Sequence, residues 1–218
     1  MILDLVEEGK IDEVVKQLPQ KEGVSEYAKE YNENARDIRE TQVGKRKDKQ
    51  LKDEVVKVSK LPIPFQRKIV TSAASFLFGN PVSITSSEDI QPIHDLWEGC
   101  KMDTLLLRFA EKVKSETEAA IVFYPVKKND EIKIKARVLS SENGSLHPVF
   151  DAYGDMVAFG WKYKGKDDGK EVEFLHLFTD EKSYVFKKKD KWEEDSELSE
   201  VNLIGKIPIV YLSQKKPE

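Results

Sequence analysis

The side chains able to do chemistry in this chain are few and stand at spacings that suit no familiar reaction. His94, His147 and His176 are scattered, with no pair at metal-ligand spacing and no cysteine cluster beside them, so the pattern gives a zinc site no support. Cys100 is the single cysteine, which excludes an intramolecular disulfide, and nothing near it suggests a catalytic thiol. The carboxylate pairs Asp167-Asp168 and Glu193-Glu194 fall in polar surroundings that would neither raise a pKa nor hold a metal rigidly, and they read as solvated surface. A phosphate loop ending in Lys-Ser/Thr, a dinucleotide fingerprint, a His-Glu-x-x-His helix and a nucleophile elbow are all missing from the sequence. Asn143-Gly144-Ser145 fits the glycosylation pattern, yet Asn-Gly more simply marks a tight turn. Lys45, Arg46, Lys47, Lys49 and Lys52 could contact phosphates, but a solvated loop or arm is the simpler reading of such a run. We therefore expect no catalytic residue, no cofactor and no metal, and look for function in surfaces.

The composition agrees with that expectation. Of 218 residues 39% are hydrophobic, enough for a substantial core as one domain or one domain plus a helical extension. The 36 basic and 40 acidic groups leave a net charge of only −4, so no global field draws the protein to nucleic acid. No apolar run is long enough to span a membrane, and the opening Met1-Ile2-Leu3-Asp4-Leu5-Val6-Glu7-Glu8 lacks the basic start and apolar length of a signal peptide. The expectation is a protein made in the cytosol, with no membrane partner.

The elements that must build such a surface are helical first and stranded later. Ile2, Leu5 and Val6, then Ile11, Val14, Val15 and Leu18, make two short amphipathic segments separated at Gly9 and closed by Pro19, the pattern of a helical hairpin. A third helix is expected from Ser25 to about Arg39, with Tyr27, Tyr31, Ala35 and Ile38 as its stripe. The basic run from Gly44 to Lys60 follows, and the division expected is a helical segment with a basic loop over 1–60 and an α+β domain over 61–218.

The stretch Leu61 to Ile84 is the most telling. Pro62 and Pro64 suit a helix start. Phe65, Ile69, Ala73, Phe76 and Leu77 then recur at helical spacing as the expected core face, with Phe76 and Phe78 anchoring the helix on a sheet. Gly79, expected at positive φ, and Pro81 stop the helix and turn the chain into a strand-like Val82-Ser83-Ile84. Ile90 to Trp97 reads as a short helix with Ile93, Leu96 and Trp97 inward. Lys101 to Glu116 reads as a stronger one, with Leu105, Leu106, Phe109, Ala110 and Val113 inward and Lys112, Lys114 and Glu116 on the polar side. Strands are expected at Ala119–Tyr124, Ile132–Val138, Met156–Tyr163, Val172–Phe178 and Ser183–Phe186, as one mostly antiparallel meander. A charged tract with Trp192 leads to a turn at Gly205-Lys206-Ile207-Pro208 and a last strand ending at Leu212.

Three of these segments carry a resemblance, in the same order along the chain. Lys68-Ile69-Val70 followed by Phe76-Leu77-Phe78-Gly79-Asn80-Pro81-Val82 resembles the helix that marks portal proteins of tailed phages. Leu146-His147-Pro148-Val149-Phe150-Asp151, then Gly154 and the Met156–Tyr163 run, is similar to the family's Pro-Val-Tyr-Asp turn and strand, with Phe150 where Tyr is commoner. Asn202-Leu203-Ile204-Gly205-Lys206-Ile207-Pro208-Ile209-Val210 resembles its Asn-x-x-Gly-x-Ile-Pro-Val strand entry. The family's motif residues here are therefore Phe76, Phe78, Gly79, Asn80, Pro81, Pro148, Asp151, Gly205 and Pro208, in a structural role. The family places a glycine between the long helix and the next strand, where this chain reads Ser115-Glu116-Thr117-Glu118-Ala119-Ala120.

The resemblance covers roughly Arg36 to Leu212 and implies the wing region of a portal, with helices flanking an antiparallel sheet; the stem, clip and crown that follow the wing in the family would lie beyond Glu218. It implies a dodecameric ring at a capsid vertex, assembled from copies of the protein in the host cytoplasm and carried into the virion. Partners implied are capsid and scaffolding proteins, the terminase that drives DNA packaging, head-completion proteins and double-stranded DNA, the last mainly through the absent segments. The competing expectation is a stand-alone protein-interaction module of a mobile element, using its basic loop and helical hairpin to bind a partner. An enzyme with dispersed residues is the third, and would need a concave pocket with convergent polar groups.

Overall fold

The computed structural model describes residues 2–18, 31, 65–129, 131–167, 169–202 and 204–214. The helix expected from Ser25 to Arg39, the basic run and the proline pair lie outside the described residues, Tyr31 excepted.

Among the described residues five helices and nine strands form four layers. The first layer is the hairpin of α1 (Ile2–Glu7) and α2 (Ile11–Gln17), which turns at Gly9 with φ +70°. It lies on a sheet in which β3 (Ser145–Phe150), β4 (Met156–Asp167), β5 (Lys170–Phe178), β6 (Lys182–Lys188) and β7 (Trp192–Glu194) run in sequence order, with β8 (Glu200–Val201) paired to β6. The next layer is a three-stranded sheet in which the hairpin of β1 (Glu118–Lys128) and β2 (Glu131–Leu139) takes β9 (Ile209–Ser213) as its third strand, in the order β2-β1-β9. The last layer is α3 (Phe65–Phe78), α4 (Gln91–Cys100) and α5 (Met102–Glu116), with α3 and α4 both packed on α5 and α4 also on β2. Every strand pairing among the described residues is antiparallel. The α+β class stands, but the expected single meander is two stacked sheets.

Alternation along the strands explains the split. On β4, Ala158 turns toward the α1–α2 hairpin, and with Leu175, Leu177, Phe186 and Trp192 it buries Val6, Ile11, Val14 and Leu18. Phe159 and Trp161 turn the other way and meet Ala120, Val122, Leu139 and Ile209 of the smaller sheet. Ala119, Ile121 and Val138 on its far side take Phe109 and Val113 of α5. Both sheets are thus covered on two sides, which is why the central strands read as long apolar runs. Trp192, placed by sequence in a charged tract, is buried as the edge of the first core.

Other expectations need correction. Val82, Ser83 and Ile84 pair with no strand; the chain there is held by the Val82 amide, which donates to Asp103 Oδ1 at 3.3 Å. In α4 it is Cys100 that is buried, while Ile93 and Leu96 remain 45% and 38% exposed, because the helix meets β2 only at its C-terminal end, where the Cys100 thiol donates to the Ile134 carbonyl. Lys112 and Glu116 are both buried despite their place on the expected polar side.

Candidate assembly surface

The first motif sits on a helix with two apolar stripes. Val70 and Ala74 are buried on the α5 side. At about 100° per residue, Phe65, Ile69 and Phe76 fall on a second stripe roughly 150° round the axis. That stripe faces water: Phe65 is 65%, Ile69 69% and Phe76 91% exposed. The residues expected as the core face are therefore mostly the outer face, and among the described residues Phe76 anchors the helix on no sheet. Phe78 is only half-buried, and Leu77 is more than half exposed. Hydropathy periodicity finds both stripes and cannot rank them, since small Val70 and Ala74 allow close helix approach while the bulkier residues score higher. A helix apolar on both sides is built to be covered on both sides. Each Phe or Ile taken fully out of water would return roughly 1.5–3 kcal/mol, so the uncovered stripe is a substantial reserve of binding free energy.

The end of α3 is fixed by backbone geometry of another kind than expected. Gly79 is absent from the residues at positive φ. Its amide donates to the Ser75 carbonyl at 2.8 Å, and a Cβ at this position would collide with that same carbonyl oxygen. Glycine is required by close approach, with the exposed Asn80 and Pro81 following. Asp103 then joins three elements: its Oδ1 accepts from the Val82 amide and from Trp97 Nε1 at 3.1 Å, tying the chain after α3 to α4 and to the first turn of α5.

The other two motifs lie in the sheets and meet each other. Pro148 is buried in β3, opposite Phe159, on an edge strand where its missing donor is tolerated. Asp151 Oδ1 accepts from the amides of Tyr153 (2.8 Å) and Asp155 (2.9 Å), an Asx-type turn that carries β3 into β4. At the third motif Gly205 has φ +65°, and Asn202 organises the turn, donating from Nδ2 to the Thr179 and Lys206 carbonyls and accepting from the Ile204 amide. The Pro208 carbonyl accepts from the Phe123 amide at 2.9 Å, which sets β9 beside β1. Tyr211 on β9 then lies 6.4 Å from Phe150 and 5.9 Å from Phe159, ring to ring. The second and third motifs thus converge on one aromatic contact between the sheets, whereas Phe76 to Pro81 belong to the helical layer.

One cluster escaped the sequence reading. Lys112 Nζ meets Glu116 Oε1 at 3.0 Å and also the Glu142 carboxylate. Glu116 Oε2 accepts from the Ser141 amide (2.7 Å) and hydroxyl (2.6 Å), so α5 is locked to the β2–β3 turn. Burial alone would lower the Lys112 pKa, but the two carboxylates outweigh it and hold the ammonium above its ordinary value. The i,i+4 spacing of Lys112 and Glu116 was the available signal. Its role is to fasten a helix, with the more exposed Glu142 as a second carboxylate on the same ammonium.

One concavity lies beside the larger sheet. An open groove of about 610 Å³ runs past Arg137, Asn143, Trp161, Tyr163 and Glu173. Its wall is a ladder in which Trp161 stacks on Tyr163 at 4.0 Å and Tyr163 on Phe174 at 5.3 Å, with the Arg137 guanidinium 5.2 Å from the Trp161 ring centroid. His176 stacks on Phe178 and bonds Ser183 Oγ at 2.7 Å, and burial lowers its pKa to about 4. It stands in the sheet, bound to that hydroxyl. Among the described residues no group of three or more His, Cys, Asp or Glu side chains is placed to hold a metal ion, and no helix is long and apolar enough to cross a membrane. What the molecule presents is a surface, chiefly the outer stripe of α3.

Comparison with known proteins places that surface in context. Residues 11–218 match the family model described as phage portal protein, SPP1 Gp6-like. No curated protein matches the chain.

Proposed function

Because the chain belongs to the phage portal protein family, SPP1 Gp6-like, we propose that it is the wing part of the portal at a capsid vertex of a tailed phage or prophage. The observation that carries this reading is the family match over 208 of the 218 residues, from 11 to 218. The family is a structural one, and the four-layer body with its fold-making motifs suits a rigid block within an assembly. Copies of the protein form a dodecameric ring, made in the host cytoplasm and built into the virion. The ring nucleates capsid assembly, receives the terminase during packaging and later the head-completion proteins. Capsid and scaffolding proteins contact the wing, while double-stranded DNA passes chiefly along the stem and clip. The chain carries no phosphate-loop motif, so the energy for DNA movement comes from the terminase.

The test is genetic and structural together. A phage or prophage with this gene deleted yields capsids without packaged DNA, and restoring the gene recovers filled heads. Antibody against the protein decorates one vertex per particle in electron micrographs. Filled, infectious particles from the deletion strain would overturn the reading, as would decoration spread over the shell.

A further inference from the structure

We propose that the groove beside the aromatic ladder of β4 and β5 receives a carboxylate carried on an extended segment of a partner protein. The proposal rests on the portal reading only in expecting protein partners, and deepens it by giving one of them a place and a chemistry. The polar side chains of the groove are unevenly used. Its acceptors are engaged within the chain: Asn143 Oδ1 accepts from the Ser140 amide at 3.0 Å, Glu142 is held by Lys112, and Glu173 lies 3.3 Å from Lys188 Nζ and 3.8 Å from Lys162 Nζ. Its donors are not. Among the described residues the exposed Arg137 makes no ion pair, and its guanidinium has only the Trp161 ring beside it. The Tyr163 hydroxyl has no hydrogen-bond partner there, and burial raises its pKa, so it keeps its proton. Trp161 is 8% exposed, and its Nε1 is buried without an acceptor. Nε1 lies beneath Gly144, where a Cβ would run into it, so one backbone unit with no side chain is its cover. Free donors opposite engaged acceptors select a group that only accepts, and Arg137 favours an anionic one. Glu142 and Glu173 stand in the same lining as Arg137, Lys162 and Lys164, which admits a single negative charge and opposes a polyanion such as nucleic acid. An extended segment also brings backbone carbonyls for the Tyr163 and Trp161 donors, and an open groove of about 610 Å³ has room for it.

The probe is a blocked peptide, acetyl-Gly-Ser-Glu-Ser-Gly-amide, titrated into the nitrogen-labelled full chain while the Trp161 indole N–H resonance is followed. The glutamate peptide should shift that resonance saturably, and the same peptide with glutamine in place of glutamate should not. Arg137→Gln, at an exposed site, should leave the circular dichroism unchanged and weaken binding at least about tenfold. Glu173→Gln removes a competing carboxylate and should tighten binding roughly threefold, a gain that a misfolded variant could not show. An indole resonance that stays in place at millimolar peptide would overturn the proposal, as would an equal response to the glutamine peptide or undiminished binding by Arg137→Gln. Tighter binding of decathymidylate through Arg137 would overturn it in favour of nucleic acid, and equal binding of acetate in favour of a small carboxylate. The portal reading is tested apart from all of these, by filled heads and vertex decoration, so a failed titration with a decorated vertex removes the groove and leaves the portal.

Discussion

Replacing Thr117 by glycine should stabilise the protein, although it deletes a side chain. Thr117 ends α5 at φ 69° and ψ −12°, in the left-handed region. An L-residue pays roughly 1–2 kcal/mol there, and a β-branched one is an outlier. Glycine escapes that penalty but brings a more flexible unfolded chain, at a cost of roughly 0.5–1 kcal/mol. The backbone service of the position is kept, because the Thr117 carbonyl accepts from the Gln214 amide at 2.8 Å whatever the side chain. The balance is a gain of about 1 kcal/mol, or about 2–4 °C in melting temperature for a chain of this size. Urea unfolding should show a higher midpoint with an unchanged slope, since no additional surface is exposed. Thr117→Ala is the discriminating control: alanine keeps the Cβ that causes the strain and should gain little. If glycine fails to stabilise, or alanine stabilises as much, backbone strain at this junction is not the operative effect.

Further outcomes can be read by the same unfolding assay. Phe76→Ala should change monomer stability by less than about 0.5 kcal/mol, as a side chain 91% exposed has little to lose, whereas Phe186→Ala, 1% exposed in the first core, should cost roughly 3–5 kcal/mol. Equal losses at the two sites would mean that the α3 stripe is covered in the monomer. Glu116→Ala should cost about 3 kcal/mol, because it leaves the Ser141 donors without their buried acceptor and Lys112 with only the exposed Glu142, while Glu142→Ala, on that exposed carboxylate, should cost no more than about 1 kcal/mol. His176, with its pKa lowered from 6.5 to about 4, takes up a proton in the unfolded chain first as the pH falls. Its contribution is complete above about pH 6.5, is lost between there and about pH 4 and then levels off, amounting at most to roughly 3 kcal/mol. The pH dependence of stability of His176→Gln, compared with the parent over that window, should be flatter by this amount, and parallel curves would show that His176 titrates normally.

The local code was legible wherever one residue type or one period was sufficient. Gly9 separates two helices because it can turn at positive φ, and Leu105, Phe109 and Val113 mark α5 because their spacing leaves only one face to bury. Asp151 and Gly205 sit in the turns their chemistry suits, and the family that the sequence resembles is the one whose model matches residues 11–218. Tertiary structure decided what periodicity leaves degenerate. Both stripes of α3 are apolar, and only the seating of Val70 and Ala74 on α5 shows that Phe76 points outward. Strand patterns do not say which sheet a strand joins, and β9 completes the β1–β2 sheet because Asn202, Gly205 and Pro208 bring it back from the far side of the molecule. Lys112 and Glu116 look like solvated charges until Ser141 and Glu142 close over them, since burial of a charge depends on partners distant in sequence. Periodicity is a property of neighbours along the chain, while burial belongs to neighbours in space, and a surface meant for another molecule satisfies the first without the second.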